Sequence, residues 1–278
     1  MSAPVRHHTD RVLTPWLCGL LPANADVLGR WGREFGVSVA SPFPLLATQV
    51  GHDCAGAVQF CAPGEVDDLL ARPGTVQPLS EAEIADRMRA LRTDTTTWLG
   101  PEFTGRFSLA GAQAKTALAF DEVHGWVQPG GSAPTTHILK PAVVGLDGHD
   151  LNEHLCLAAA RRCGLVVAST RVEAFEDQTA IVVERYDRHV VAGELTRIHQ
   201  EAVCQALGID PSRKYQSDGG PSPADIAGLL RSVLPADRAL HDIRRFVDAL
   251  AFNWIVAGTD AHAKNYSLLH AGHQTRLA

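Results

Sequence analysis

Apolar positions along this chain recur with two different periods, and the switches between them divide the sequence. Residues 1 to about 60 mix short helical signals with Gly and Pro, and end in a strand-like Gly56-Ala57-Val58-Gln59-Phe60. Residues 61–79 are richer in Pro, Gly and acid and read as a connection. Ser80 with Glu83 three positions on, ahead of Ile84, Met88 and Leu91, is a capping box that opens a helix to about Arg92. Thr95-Thr96-Thr97 favours a turn or an extended segment, which predicts a boundary near residue 100. Ala117–Phe120, Thr135–Lys140, Arg171–Phe175 and Thr179–Tyr186 then read as strands. A helix interrupts them at Asp150-Leu151-Asn152-Glu153, with Leu151, Leu155, Ala158 and Ala159 on one face and Gly164 as its cap.

Beyond Tyr186 the pattern turns helical. His199–Leu207 is closed by Gly208. Ser222-Pro223-Ala224-Asp225 supplies an N-cap, an N1 proline and an N3 acid ahead of Ile226, Leu229, Leu230 and Leu234. Ile243, Phe246, Val247, Leu250, Ala251, Trp254 and Ile255 mark a long helix whose apolar face reads as core. Gly258 ends that helix and delivers Thr259-Asp260-Ala261-His262-Ala263-Lys264-Asn265.

Composition narrows the class without naming a chemistry. The chain has 278 residues, 45% hydrophobic and 20% charged, which suits one large globular domain or two modest ones. A net charge of −6 argues against a nucleic-acid binder, although a local basic patch is compatible with it. No apolar run is long enough to span a bilayer. Arg6 and Arg11 before Leu13–Leu21 imitate a short signal peptide, yet Pro15 and Trp16 break that run, and the chain reads as cytoplasmic. Cys18, Cys54, Cys61, Cys156, Cys163 and Cys204 form no Cys-x-x-Cys pair and read as reduced thiols. Cys156 and Cys163 share a helix on which both can face the core. The pairs His7-His8 and His270, His273 read as solvated rather than metal-bound.

Candidate chemistry begins with Asp260 and Asn265. An Asp and an Asn five positions apart, after a long helix, have the spacing of a kinase catalytic loop, in which the Asp accepts the attacking hydroxyl's proton and the Asn holds magnesium. Upstream, Ser108-Leu109-Ala110-Gly111-Ala112-Gln113-Ala114-Lys115 is small and flexible beside a strand. It suits either a tight hairpin turn or a loop whose amides approach phosphate. Lys140 ends a strand, where it is either a surface lysine or a grip on the α- and β-phosphates. Glu153 suits two roles equally, the N3 position of its own capping box or an ion pair with Lys140. Ile181–Arg188 turns polar abruptly, as a hinge between two lobes would. The order of parts is that of a two-lobed kinase.

Six ordered blocks carry a family resemblance. Ser-Leu-Ala-Gly-Ala-Gln-Ala-Lys-Thr-Ala-Leu, Pro-Thr-Thr-His-Ile-Leu-Lys, Asn-Glu-His-Leu-Cys-Leu-Ala-Ala-Ala, Val-Glu-Arg-Tyr-Asp-Arg, Lys-Tyr-Gln-Ser-Asp-Gly-Gly-Pro and Thr-Asp-Ala-His-Ala-Lys-Asn resemble the HipA serine/threonine kinases, toxins of bacterial HipBA toxin–antitoxin systems. The likeness runs from about residue 17 to the end, and includes Leu20-Leu21-Pro22 and Gly56-Ala57-Val58. It implies an α+β, two-lobed protein-kinase-like fold with a sheet-rich N-lobe, a phosphate loop and a helical, incomplete C-lobe. Residues 1–100 would form a HipA N-terminal-like region lacking its first part, and 101–278 the kinase domain, with its N-lobe ending near 186.

The same resemblance implies site roles. Ala110, Gly111, Ala112, Gln113, Ala114 and Lys115 would line the phosphates of ATP, with Lys140 binding them from its strand and Glu153 paired to Lys140. Glu184, Arg185 and Tyr186 would form the adenine hinge, Glu184 and Tyr186 through backbone atoms. Asp260 would be the general base, His262, Ala263 and Lys264 would border the phosphates, and Asn265 would ligate Mg²⁺. Ser108 would be the autophosphorylation site. The implied partners are a HipB-like helix-turn-helix antitoxin, DNA only through that antitoxin, and an aminoacyl-tRNA synthetase substrate, usually the glutamyl enzyme. Measured against the family pattern, the chain begins after the first β-rich part of the N-terminal domain. It ends at Arg276-Leu277-Ala278, before a second Mg²⁺-binding aspartate. Weak or absent activity is therefore expected, with apolar faces exposed on 199–207 and 243–257. A non-catalytic module that binds antitoxin or target is the alternative, and a metal-dependent hydrolase using Asp260 and His262 comes last.

Overall fold

A computed structural model describes residues 8–61, 64–71, 73–100, 107–191 and 194–278. Arg6 and His7 lie outside them. The amino-terminal part is helical: α1 (Asp10–Cys18), α2 (Ala25–Glu34) and α3 (Pro42–Leu46). Asn24 caps α2 by accepting the Asp26 and Val27 amides, and Pro42 opens α3. Pro15 does not break α1. It sits inside the helix, which lacks a donor there and continues to Cys18.

Two expectations fail in the next stretch. Gly56–Phe60 is not a strand, because no neighbour pairs with it. Instead the Phe60 amide donates to Gly51 O, and the Gln59 side chain to His52 O. The supposed connection at 61–79 contains a short helix α4 (Val66–Ala71) and an edge strand β1 (Thr75–Pro78). β1 is exposed along its length and ends in proline, so it carries no apolar alternation to read.

Helix α5 (Glu81–Thr93) opens on the Ser80/Glu83 capping box. Strands β2 (Thr116–Asp121), β3 (Gly125–Gly130) and β4 (His137–Pro141) follow, then helix α6 (His149–Arg162) and strands β5 (Thr170–Phe175) and β6 (Gln178–Glu184). The strands form one antiparallel sheet in the order β1-β3-β2-β4-β6-β5. In this register Lys140 lies opposite Ile181 and Leu139 opposite Val182. Helix α5 lies against β4, β5 and β6, and α6 against β5 and β6. The α6 face predicted to be apolar points outward, with Leu151 and Leu155 exposed. Cys163 is exposed and Cys156 half-buried, so neither is a core thiol.

The carboxyl part is less helical than its sequence suggests. β7 (Arg188–Val191) and β8 (Glu194–Arg197) pair as a hairpin. The segment read as one helix from His199 begins as strand β9 (His199–Ala202), and only α7 (Val203–Ala206) is helical. Helices α8 (Pro223–Val233) and α9 (Ala236–Ile255) form as their caps and periodicity predict. Strands β10 (Ser267–Ala271) and β11 (Gln274–Leu277) complete a three-stranded sheet with β9. Pairing with β10 holds 199–202 extended against its local preference.

Two cores result. Leu20, Trp31 and Leu46 of the helical part, Met88 of α5, Trp98, and Leu118, Leu139 and Val182 of the sheet belong to one cluster. The described residues on either side of 101–106 contribute to one core cluster. The second cluster joins Cys204, Ile226, Leu230, Phe246, Leu268 and Leu277. Of the α9 face, Phe246 is buried, while Trp254 is 86% and Ile255 74% exposed, in line with the expectation of an open apolar face on 243–257.

Candidate nucleotide site

Three lysines converge where the sheet meets the loop after α9. Lys140 leaves β4 with its Nζ donating to Glu153 Oε1 at 2.7 Å. Helix α6 starts on Gly148, whose left-handed backbone replaces any side-chain cap, so Glu153 is not held in a capping box. Lys115 is buried. Its Nζ donates to Ala110 O at 2.9 Å and lies 4.5 Å from the centre of the Trp98 ring. Burial, then the ammonium groups of Lys140 and Lys264, pull its amine well below the usual lysine range, while Glu153 opposes this. Lys115 of the 108–115 loop thus feels charges carried by β4, α6 and the 259–265 loop. The Lys264 amine is buried and has no hydrogen-bond partner among the described residues. Burial, then Lys214, lower its affinity for a proton. Two carboxylates, Glu153 and Asp210, face four lysine amines, Lys115, Lys140, Lys214 and Lys264, an excess of cationic groups that suits a polyphosphate.

The 108–115 loop is folded inward around its own lysine. Gly111 has φ of +111°, which calls for glycine, and a Cβ there would stand 2.5 Å from Lys115 Nζ and displace that amine. Gly111 O accepts the Ala23 amide, tying the loop to the segment after α1. Ala112 is exposed, Ala110 and Ala114 are half-buried, and the Gln113 Nε2 is buried without a partner. Ser108 is fully buried, its amide donating to Asp53 O and its Oγ to Leu20 O at 2.8 Å.

At the other end, a 3-10 turn at Ala263–Asn265 shapes the loop. Asn265 Nδ2 donates to Asp260 O at 2.6 Å, and no described residue donates to its Oδ1. Asp260 is 77% exposed at its side chain, and its Oδ1 accepts from the Tyr215 hydroxyl. His262 Nε2 lies 3.5 Å from the same oxygen. Burial, then Lys214, disfavour the His262 imidazolium. Ala263 is buried in the second core.

The hinge differs from expectation at Arg185. Its amide donates to Thr136 O, and its guanidinium is buried among Asp53, Asp187, Thr135 and Cys54 O, so no donor remains for a base. The Glu184 amide donates to Ser169 O. Of the hinge amides at 184–186, only that of Tyr186 has no partner among the described residues. Arg185, Arg188 and Arg197 surround Asp53, while Asp187 Oδ2 accepts the Gly56 amide. Burial alone would raise the Asp53 carboxyl, but the three arginines and the Thr135 hydroxyl hold it below its usual range. Sequence reasoning missed Asp53 because its partners lie more than 80 residues away. Tyr215 lay within a quoted motif, yet spacing gave no hint of its partner.

Comparisons with known proteins identify the family. Residues 107–278 match the HipA-like C-terminal domain, and residues 1–61 the HipA N-terminal domain. The chain belongs to the HipA family. It is 39% identical over 272 residues to the putative kinase Y4mE of Sinorhizobium fredii, covering 96% of this chain and 63% of that protein. It is 30% identical over 274 residues to the serine/threonine-protein kinase toxin HipA of Shewanella oneidensis, covering 93% of this chain and 60% of the toxin. The solved complex of Shewanella HipA, HipB and operator DNA contains a chain that superposes with a TM-score of 0.75 at 28% identity. That match covers 97% of this chain and 63% of the other. The chain therefore spans about three fifths of the length of these HipA relatives. The mixed α+β architecture, with its sheet-rich first lobe, is the kinase-like fold of this family.

Proposed function

We propose that this chain carries the nucleotide-binding and phosphoryl-transfer centre of a HipA-type serine/threonine kinase, the toxin of a toxin–antitoxin pair. The observation behind the proposal is the excess of positive charge built by Lys115, Lys140 and Lys264 beside a loop presenting Asp260 and Asn265. Lys140, oriented by Glu153, and Lys264 would bind the phosphates of ATP and offset charge that develops on the transferred group. The Tyr186 amide would meet the adenine edge. Asp260, exposed to the acceptor side, would take the proton of the attacking serine hydroxyl. Asn265 Oδ1 is a hard oxygen donor suited to Mg²⁺. The described residues hold no cluster of three or more His, Cys, Asp or Glu ligands, so the phosphates themselves would complete the ion's shell.

The finer readings belong to the same proposal: cytoplasmic location, a HipB-like antitoxin that brings it to DNA, and an aminoacyl-tRNA synthetase as substrate. Ser108 would be a self-phosphorylation site. A dianionic phosphate does not fit its buried seat against Leu20 O, so modification would expel the loop. ATP should raise the melting temperature of the purified protein, and Lys140→Met should abolish that rise. Asp260→Asn should keep the rise while lowering transfer from γ-labelled ATP by about a hundredfold or more. A melting shift with no transfer would instead favour the non-catalytic binding module.

A further inference from the structure

The segment between α7 and α8 contains Lys214-Tyr215-Gln216-Ser217-Asp218-Gly219-Gly220, which the nucleotide-site reading leaves without a role. Its backbone is fixed from both sides. Tyr215 O accepts the Asp218 amide at 3.1 Å and the Gly220 amide at 2.9 Å, and Lys214 O accepts the Ala263 amide at 3.2 Å. A Cβ on Gly220 would stand 2.2 Å from Arg213 O and 2.6 Å from Tyr215 O, so the second glycine is required for this close turn. The Tyr215 ring meets His262 edge-on with centroids 5.0 Å apart, and Lys214 Nζ lies 5.0 Å from the Tyr215 ring centre.

So held, the phenol donates to Asp260 Oδ1. That bond matters because Asp260 is otherwise an exposed carboxylate on a loop, free to rotate about its side-chain bonds. Among the described residues no donor reaches Oδ2. We propose that Tyr215 is a positioning residue for Asp260: it anchors one carboxylate oxygen and leaves the other aimed at the acceptor hydroxyl. The inference rests on the kinase reading above and assigns the Lys-Tyr-Gln-Ser-Asp-Gly-Gly segment to the acceptor side of the site.

The test uses the full-length protein with γ-labelled ATP, Mg²⁺ and a serine peptide library, scoring labelling of the peptides and of the protein itself. Tyr215→Phe keeps the ring and its contact with His262 and removes only the donor. The transfer rate at saturating ATP should fall about tenfold, whereas the KM for ATP and the melting temperature stay within about twofold and a degree or two of wild type. An unchanged rate in Tyr215→Phe, or a rate that rises because the phenol had masked the base, overturns the proposal while the kinase reading stands. Absence of any transfer by the wild type overturns both. A second measurement is independent of turnover: the ¹³Cζ resonance of Tyr215 should move in Asp260→Asn, and a resonance that stays put shows that the anchoring bond does not exist.

Discussion

Lys264 shows how a single side chain can be adverse for the fold and useful to the site. Its ammonium is buried with no hydrogen-bond acceptor among the described residues, beside Lys214 and Lys115 and only partly offset by Asp210. Burying such a group unpaired costs roughly 1–3 kcal/mol. Lys264→Met keeps most of the stem and removes the charge, so the ligand-free variant should melt several degrees higher than wild type. The same change should erase the rise in melting temperature on adding ATP. Thermal melts with and without nucleotide decide both halves of this prediction, and a variant less stable than wild type would contradict the account. Opposed effects of this kind are expected where a protein prepares a charged site before its ligand arrives.

Helices with capping boxes were legible in the sequence, and the segments stabilised by distant partners were not. Ser80 and Glu83, and Ser222 and Asp225, announce α5 and α8 because each cap is complete within four residues. β9 was unreadable because its extended form depends on β10, nearly seventy residues on. Trp254 and Ile255 fit a buried stripe by spacing alone, yet both are exposed. The 259–265 loop and Lys140 could be found because residue type and order matter there more than burial. Within the sheet, His137 of β4 has a consequence that can be measured. Its ring sits edge-on against Trp126, 5.1 Å away, and against Phe120. Burial, then Arg171, lower its pKa below the ordinary 6.5, with Glu184 and Glu173 opposing. In the window just below 6.5 the unfolded chain binds a proton there more readily than the folded one, so stability rises with pH across that window. It is lost again as acid is added. His137→Gln should flatten this part of the curve in unfolding melts taken from about pH 5 to 7.

A buried polar assembly joins the two family-matched segments. Asp53, before the end of the amino-terminal match, receives Arg185, Arg188, Arg197 and both the amide and hydroxyl of Thr135. Its backbone carbonyl also holds the Ser108 amide, so one residue touches both the hinge and the entry to the phosphate loop. Removing a partner from a buried ion assembly leaves an uncompensated charge and costs about 3–5 kcal/mol. Asp53→Asn should therefore lower unfolding stability by roughly that amount in denaturant titrations, and adding Arg197→Met should recover part of it. Independent, additive losses would argue that the two residues are not coupled. The coupling carries an evolutionary corollary. A chimera that takes its first sixty residues from one HipA relative and the rest from another would have to inherit matching charges at 53, 185, 188 and 197. Substitutions at those four sites should travel together through the lineage.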